Sequence, residues 1–185
     1  LTAAFQYLIM GSVGATFIVI GIGLLFVMTG TLGMMDLAQR IPEVWASGEG
    51  DRTIAVAFTF LTVGVTLKLA LFPLHLWLPN AYTYAPSAVT GYMAATSTKV
   101  MVYLLMRFFF TVFGEQFSFD RMQLDMVLMP LALVAILAMS LVAIYQTNVK
   151  RLLAFSSVAQ IGYMVLGISL GSVLGVAAGI IHLFN

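Results

Sequence analysis

Apolar runs long enough to cross a bilayer, joined by mostly short connections, constrain this chain more than any other feature. A span needs about 20 predominantly apolar residues at a rise of about 1.5 Å each. Six segments meet or approach that length: about Ala3 to Thr29, Ile54 to about Tyr84, about Pro86 to Phe113, Met126 to about Tyr145, about Leu152 to Ser169, and one opening near Ser172 and running to Asn185. Of the 185 residues 62% are hydrophobic and 8% charged, where a soluble domain carries roughly a quarter charged. The expected fold class is therefore all-α: a polytopic transmembrane helical bundle of about six spans, one transmembrane domain over residues 1–185. Pro73 removes a backbone donor inside the second segment, so that span is expected to be a broken helix. Gly11, Gly14, Gly21 and Gly23 offer close helix contact in the first.

The same composition excludes several functions. A net charge of +1 leaves no nucleic-acid footprint and no polybasic surface. No cysteine is present, so disulfides, thiolate metal sites and iron–sulfur ligation are excluded. Two histidines, His75 and His182, are too few for a histidine-rich metal centre. There is no Gly-rich phosphate loop, no catalytic triad and no legible nicotinamide, flavin or quinone site, so no cofactor and no metal is expected. Leu1 is not an initiator methionine, and the chain stops within an apolar run. It is expected to be a piece of a longer membrane protein.

Charge sets the expected topology. The connection from Gly30 to Thr53 carries Asp36, Arg40, Glu43, Glu49, Asp51 and Arg52, and that from Phe113 to Asp125 carries Glu115, Asp120, Arg121 and Asp125; each has a two-charge negative excess. The turn Gln146 to Arg151 carries Lys150 and Arg151 and no acid. The positive-inside rule puts this turn in the cytoplasm. Parity then places both acidic connections, 30–53 and 113–125, outside.

Within that topology two cations lie deep. Lys68 sits in the second segment, five residues before Pro73, and Lys99 lies about midway along the third. An ionisable group at such depth is costly and marks ion or proton pathways. All seven carboxylates lie in connections or at their edges, so neither lysine has an acidic partner in a span core. A buried, unpaired ammonium finds an anion on another helix or subunit, or loses its proton. Free lysine titrates near about 10.4, and burial lowers this while a paired carboxylate restores it. Moving that partner switches the lysine between holding and releasing its proton, which arginine cannot do. Lys68 can also be read as snorkelling to the nearer interface; Gly64, one turn before it, leaves space for water or a partner helix.

Other polar side chains extend this pattern. Tyr92, Thr96, Lys99 and Tyr103 share one face of the third helix, a stripe that lipid cannot satisfy; interhelical hydrogen bonding is the alternative. His75, in PLHLWLP, is either a proton relay or a histidine bonded to carbonyls freed by the break. Trp77, Tyr82 and Tyr84 are expected as interface anchors. His182 is a relay candidate or a packed histidine. Arg107 is expected to snorkel toward the acidic connection. Ser156, Gln160 and Tyr163 share a face of the fifth helix and hold either a water chain or interhelical hydrogen bonds.

At these residues the chain resembles a known family. KLALFPLHLWLPNAYTYAPSAVTGYMAATSTK looks like the signature of the proton-translocating antiporter-like subunits: the large membrane subunits of NADH:quinone oxidoreductase, the related membrane hydrogenase subunits and the Mrp-type cation/proton antiporter subunits. NVKRLLAFSSVAQIGYM resembles their next motif, and HLFN the start of a third. The resemblance covers essentially all 185 residues. It implies a fourteen-helix fold of two inverted five-helix repeats, each with a broken helix, of which this chain would hold about helices six to eleven. Lys68 matches the family lysine on the broken seventh helix, Lys99 the lysine on the eighth that links two half-channels, and His182 the first histidine of the H-L-x-x-H stretch on the eleventh. The acidic partner of the seventh-helix lysine would lie on helix five. Gln160 stands where some relatives carry histidine.

The expected function is a proton-conducting subunit of a multi-subunit complex in a bacterial or archaeal cell membrane. Its partners would be other membrane subunits, lipid, protons and Na+. Lys68, Lys99 and His182 would relay protons, with His75, Pro73, Gln160 and Tyr103 in secondary roles. The wording of HLFN and TGTLGMMDLAQ leans toward the D-type branch of the Mrp cation/proton antiporters. The alternatives are a proton-pumping membrane subunit of NADH:quinone oxidoreductase or a membrane-bound hydrogenase, which would be part of a translocase, and a structural bundle without transport.

Overall fold

The computed structural model describes residues 1–48 and 50–184; Glu49, one of the acidic residues of the first connection, and Asn185, at the end of the sixth segment, lie outside the described residues. The described residues form eight α-helices and two π-helical turns, with no strand among them. Helix α1, Thr2–Thr29, closes at Gly30, whose positive φ of 69° lets its N–H reach Phe26 O at 2.8 Å.

The connection that follows is not an open loop. It folds into α2, Met34–Ser47, which buries Leu37 and Ile41 on one face. Apolar residues at 37, 41, 44 and 45 repeat at helical spacing, but the segment is too short and too charged to read as a span. Asp36 lies in its first turn, where the helix dipole favours an anion.

The second span breaks where proline predicts. Helix α3, Asp51–Leu69, ends at Ala70 in the left-handed region, and α4, Trp77–Tyr84, resumes after a short irregular stretch containing a cis Phe72–Pro73 bond. Helix α5, Ser87–Met106, runs into a π-helical turn, Arg107–Val112, and a second such turn spans Gln116–Arg121. The chain continues as α6, Leu124–Ile144, α7, Val149–Ser169, and α8, Val173–Phe184. Asn148 caps α7 by accepting the Arg151 N–H. Five helical runs are long and apolar enough to cross a membrane, and α8, at 12 residues, is the short apolar segment that opens near Ser172.

Helix α1 packs along α3, α6 along α7, and α8 against α7, while α4 lies against both α1 and α7. The α1–α3 seam is tight because glycine meets glycine: a Cβ on Gly64 would stand 2.8 Å from Gly14 O. Gly14 and Gly21 make the expected close contacts. Gly11 and Gly23 do not, having nothing within 4 Å. Toward the acidic connections an aromatic cluster ties α2, α3 and the π-helical turns together, with Phe58–Phe113 and Trp45–Phe117 centroids each 4.9 Å apart and edge-on.

Candidate functional site

The helix break builds the first half of the site. Lys68 lies in the last turn of α3, with its aliphatic stem against Gly14 of α1. It lines a cavity of about 120 Å³ together with Tyr7 and Gly11 of α1, Trp77 of α4, and Ser97 and Met101 of α5. Among the described residues nothing bonds to its ammonium. The space expected beside Gly64 is filled by the α1 backbone; the opening lies a turn further along α1, at Gly11.

Ending α3 before Pro73 frees backbone carbonyls, and Trp77 answers one of them. Its indole N–H donates to Leu67 O at 3.0 Å. Trp77 and Tyr82 are buried rather than placed at an interface as the sequence suggested; of the three aromatics only Tyr84 is exposed. The reason is tertiary, since α4 is covered by α1 on one side and α7 on the other. His75 is buried in the break, stacked on Phe72 at 5.4 Å with the Pro73 carbonyl beside it, and among the described residues nothing completes a hydrogen bond to its Nδ1.

The second half forms where α5, α7 and α8 meet. Lys99 Nζ donates to Leu183 O at 3.0 Å. Gln160 Oε1 and His182 Nε2 share a short hydrogen bond, and the Tyr163 ring meets His182 edge-on at 5.7 Å. Lys99, Gln160 and His182 line one cavity of about 330 Å³ with Thr98 and Ser157. Three residues singled out from sequence thus converge from three separate helices. Helix α5 stands between the two cavities, presenting Ser97 to the Lys68 side and Thr98 and Lys99 to the other.

Other expected residues fall elsewhere. Tyr103 is 55% exposed on α5 and lines neither cavity, and Tyr92 is also exposed. The expected stripe therefore splits, with Lys99 alone of its members in the cavity. Arg107 donates to Thr111 Oγ1 at 3.3 Å, within its own π-helical turn. Ser157, not Ser156, lines the second cavity. Lys150 Nζ donates to Ala85 O at 2.9 Å and so pins the far end of α4. Arg151 lies 5.9 Å over the Phe155 ring. Among the described residues no group of three or more His, Asp or Glu side chains could hold a metal ion.

Sequence reasoning missed Tyr7, Ser97, Thr98 and Ser157. A hydroxyl pair directly before Lys99 in an apolar helix was a usable signal for Ser97 and Thr98. Nothing in the sequence pairs Tyr7 with Lys68, which only the α1–α3 seam brings near.

Comparison with known proteins identifies the family. The family described as NADH:quinone oxidoreductase/Mrp antiporter, TM, matches residues 1–185. NADH-quinone oxidoreductase subunit N of Desulforudis audaxviator is 40% identical over 185 residues, covering 100% of this chain and 36% of that protein. The subunit N of Moorella thermoacetica is 35% identical over 176 residues, covering 95% of this chain and 35% of that protein. Among solved structures, a chain of the membrane-bound sulfane sulfur reductase, an archaeal respiratory membrane complex, superposes with a TM-score of 0.87 at 30% identity, covering 100% of this chain and 36% of that one. A chain of the Mrp complex from Dietzia sp. gives 0.85 at 29%, covering 98% and 32%. A chain of respiratory complex I from Thermus thermophilus gives 0.69 at 29%, covering 98% and 39%. The chain thus spans about a third of the length of the curated relatives it matches.

Proposed function

The chain belongs to the NADH:quinone oxidoreductase/Mrp antiporter transmembrane family, and from that membership we propose that it serves as a proton-translocating part of an NADH-quinone oxidoreductase type membrane subunit. The lean toward the D-type Mrp branch gives way here. The two curated relatives described above carry the name NADH-quinone oxidoreductase subunit N, while a chain of an Mrp complex is similar at 29% identity. The transported ion in this reading is the proton, and the partners are other membrane subunits.

One observation carries the reading: Lys99, Gln160 and His182 share a polar cavity, and Lys68 lines a second across α5. Protons would enter the first cavity, pass α5, and leave through the second. Lys68 takes its counter-charge from a carboxylate on a neighbouring helix or subunit, and displacement of that carboxylate releases the lysine proton. The Lys150–Arg151 turn faces the cytoplasm and both acidic connections face outside in this proposal.

The test is proton translocation by the assembled complex carrying Lys68→Ala or Lys99→Ala. Each is expected to abolish translocation with assembly on native gels unchanged. Lys68→Arg is expected to fail as well, because arginine does not release its proton. Normal translocation by both alanine variants refutes the proposal in favour of a structural bundle.

A further inference from the structure

A cavity of about 490 Å³ lies between α2 and the two π-helical turns, away from both lysines. Its size is that of a small-ligand site. Gly114, between the turns, has a positive φ of 80° and open space where a Cβ would stand. The walls are mainly apolar and well packed. Trp45 meets Phe117 edge-on at 4.9 Å, and Phe113 stacks on Phe117 at 5.4 Å. On α2 the small side chains of Ala38, Pro42 and Ala46 recur every four residues on one face, which leaves the space open.

The cavity sits where spans end. Helix α1 stops at Thr29, α3 starts at Asp51, the run from α5 stops at Val112 and α6 starts at Leu124. In a bilayer this is the level of the lipid headgroups. Helix α2 tells which side faces the lipid. Met35 continues the apolar flank of Ala38, Pro42 and Ala46, whereas Asp36, Arg40 and Glu43 share the other flank. Met35 is 68% exposed, and Leu32, just before the helix, is 60% exposed. A helix with one apolar and one charged flank lies in the interface with its apolar flank toward the acyl chains. The cavity opens along that flank.

The charges select the headgroup. Arg121 and Glu115 both line the cavity, and among the described residues neither side chain makes a hydrogen bond or an ion pair. A guanidinium suits a phosphate, and a carboxylate suits an ammonium. Glu115 also lines an adjoining cavity with Asp120 and Asp125, so three carboxylates stand near one guanidinium. A headgroup with net negative charge is repelled there, whereas one that carries its own ammonium is not. A primary ammonium donates hydrogen bonds to a carboxylate, which a quaternary one cannot.

We propose that this cavity binds a phosphatidylethanolamine-type phospholipid, with its phosphate on Arg121, its primary ammonium on Glu115 and the start of an acyl chain between α2 and the π-helical turns. The bound lipid fastens α2 to the end of α5. The proposal needs only that the spans cross a bilayer and is independent of the proton path.

The experiment places the assembled complex in proteoliposomes containing photoactivatable phosphatidylethanolamine, phosphatidylcholine or phosphatidylglycerol, each with a diazirine near the glycerol end of one acyl chain. Peptide mass spectrometry measures the label on residues 34–47 and 111–121 relative to residues 133–144 of α6. That reference stretch is uncharged and exposes Leu133, Leu137, Leu141 and Ile144, so it reports bulk lipid. The ratio is expected to be about three- to tenfold higher for phosphatidylethanolamine than for the other two lipids. Arg121→Gln and Glu115→Gln are each expected to remove most of that excess. Ala46→Phe, which fills the cavity from an exposed position, is expected to abolish it. Excess inorganic phosphate is expected to change nothing. An equal ratio for either other lipid overturns the proposal, as does an unchanged ratio in Arg121→Gln or Glu115→Gln. Competition by inorganic phosphate puts a free anion on Arg121 and overturns the lipid. Labelling of 34–47 and 111–121 below that of 133–144 in every lipid means that another subunit covers the cavity, which also overturns it. Where Arg121→Gln lowers assembly, Glu115→Gln and Ala46→Phe decide.

Discussion

Replacing Gly64 with alanine tests the seam on which the Lys68 cavity depends. A Cβ at Gly64 would stand 2.8 Å from Gly14 O, 2.8 Å from Ile18 Cγ1 and 2.9 Å from Ile18 N. Ordinary contact begins at 3.4 Å, so the two backbone atoms among these three are about 0.5–0.6 Å too close. Backbone in the middle of a 28-residue helix cannot rotate away, so α1 must shift as a body. Overpacking of this kind costs about 1–3 kcal/mol, and the backbone clash favours the upper half. Alanine returns up to about 1 kcal/mol of helix propensity over glycine. The net loss is then about 1–2 kcal/mol, or roughly 2–8 °C in melting midpoint for a domain of 150–250 residues. Thermal unfolding of the detergent-solubilised complex measures it. Gly23→Ala is the comparison, because nothing lies within 4 Å of Gly23 and only the propensity gain applies. Proton transport should fall with Gly64→Ala, since α1 carries Tyr7 and Gly11 at the cavity wall. A Gly64→Ala protein as stable as Gly23→Ala would refute the close α1–α3 packing and with it the geometry of the Lys68 cavity.

Two further predictions follow from named hydrogen bonds. Trp77→Phe removes the donor to Leu67 O, but that carbonyl also accepts the Ala70 N–H at 3.2 Å. The stability loss should therefore be modest, about 1 kcal/mol by thermal unfolding, with a larger drop in transport because Trp77 lines the Lys68 cavity. Gln160→Leu leaves the His182 ring without its partner in the second cavity. Transport is expected to fall about five- to tenfold, Gln160→His should retain most of it, and equal rates for Gln160→Leu and wild type would remove Gln160 from the path.

The spans and the break were legible because they follow from local chemistry. An uncharged run of about 20 residues has to satisfy its backbone within itself, and a helix is the local solution. Proline at 73 ends α3 through the same backbone accounting. Helix α2 was hidden because its apolar face is short and its charges resemble those of a loop. Lys68, Lys99 and His182 stood out as polar groups at costly depth, a signal that needs no partner to be seen.

What the sequence could not supply is adjacency between distant segments. Gln160 meeting His182 depends on how α7 and α8 cross, and Lys99 reaching Leu183 O depends on α5 joining them. Trp77 and Tyr82 looked like interface anchors because amphipathic aromatics favour both an interface and a buried contact between helices, and composition does not separate the two. The sequence alone determined that the chain is a helical membrane protein with two deep lysines and one broken span, since each of these is a property of a single segment in lipid. Only the tertiary structure decided that the lysines line separate cavities on either side of α5. Such placement comes from glycine seams and helix crossings that join residues far apart in the chain.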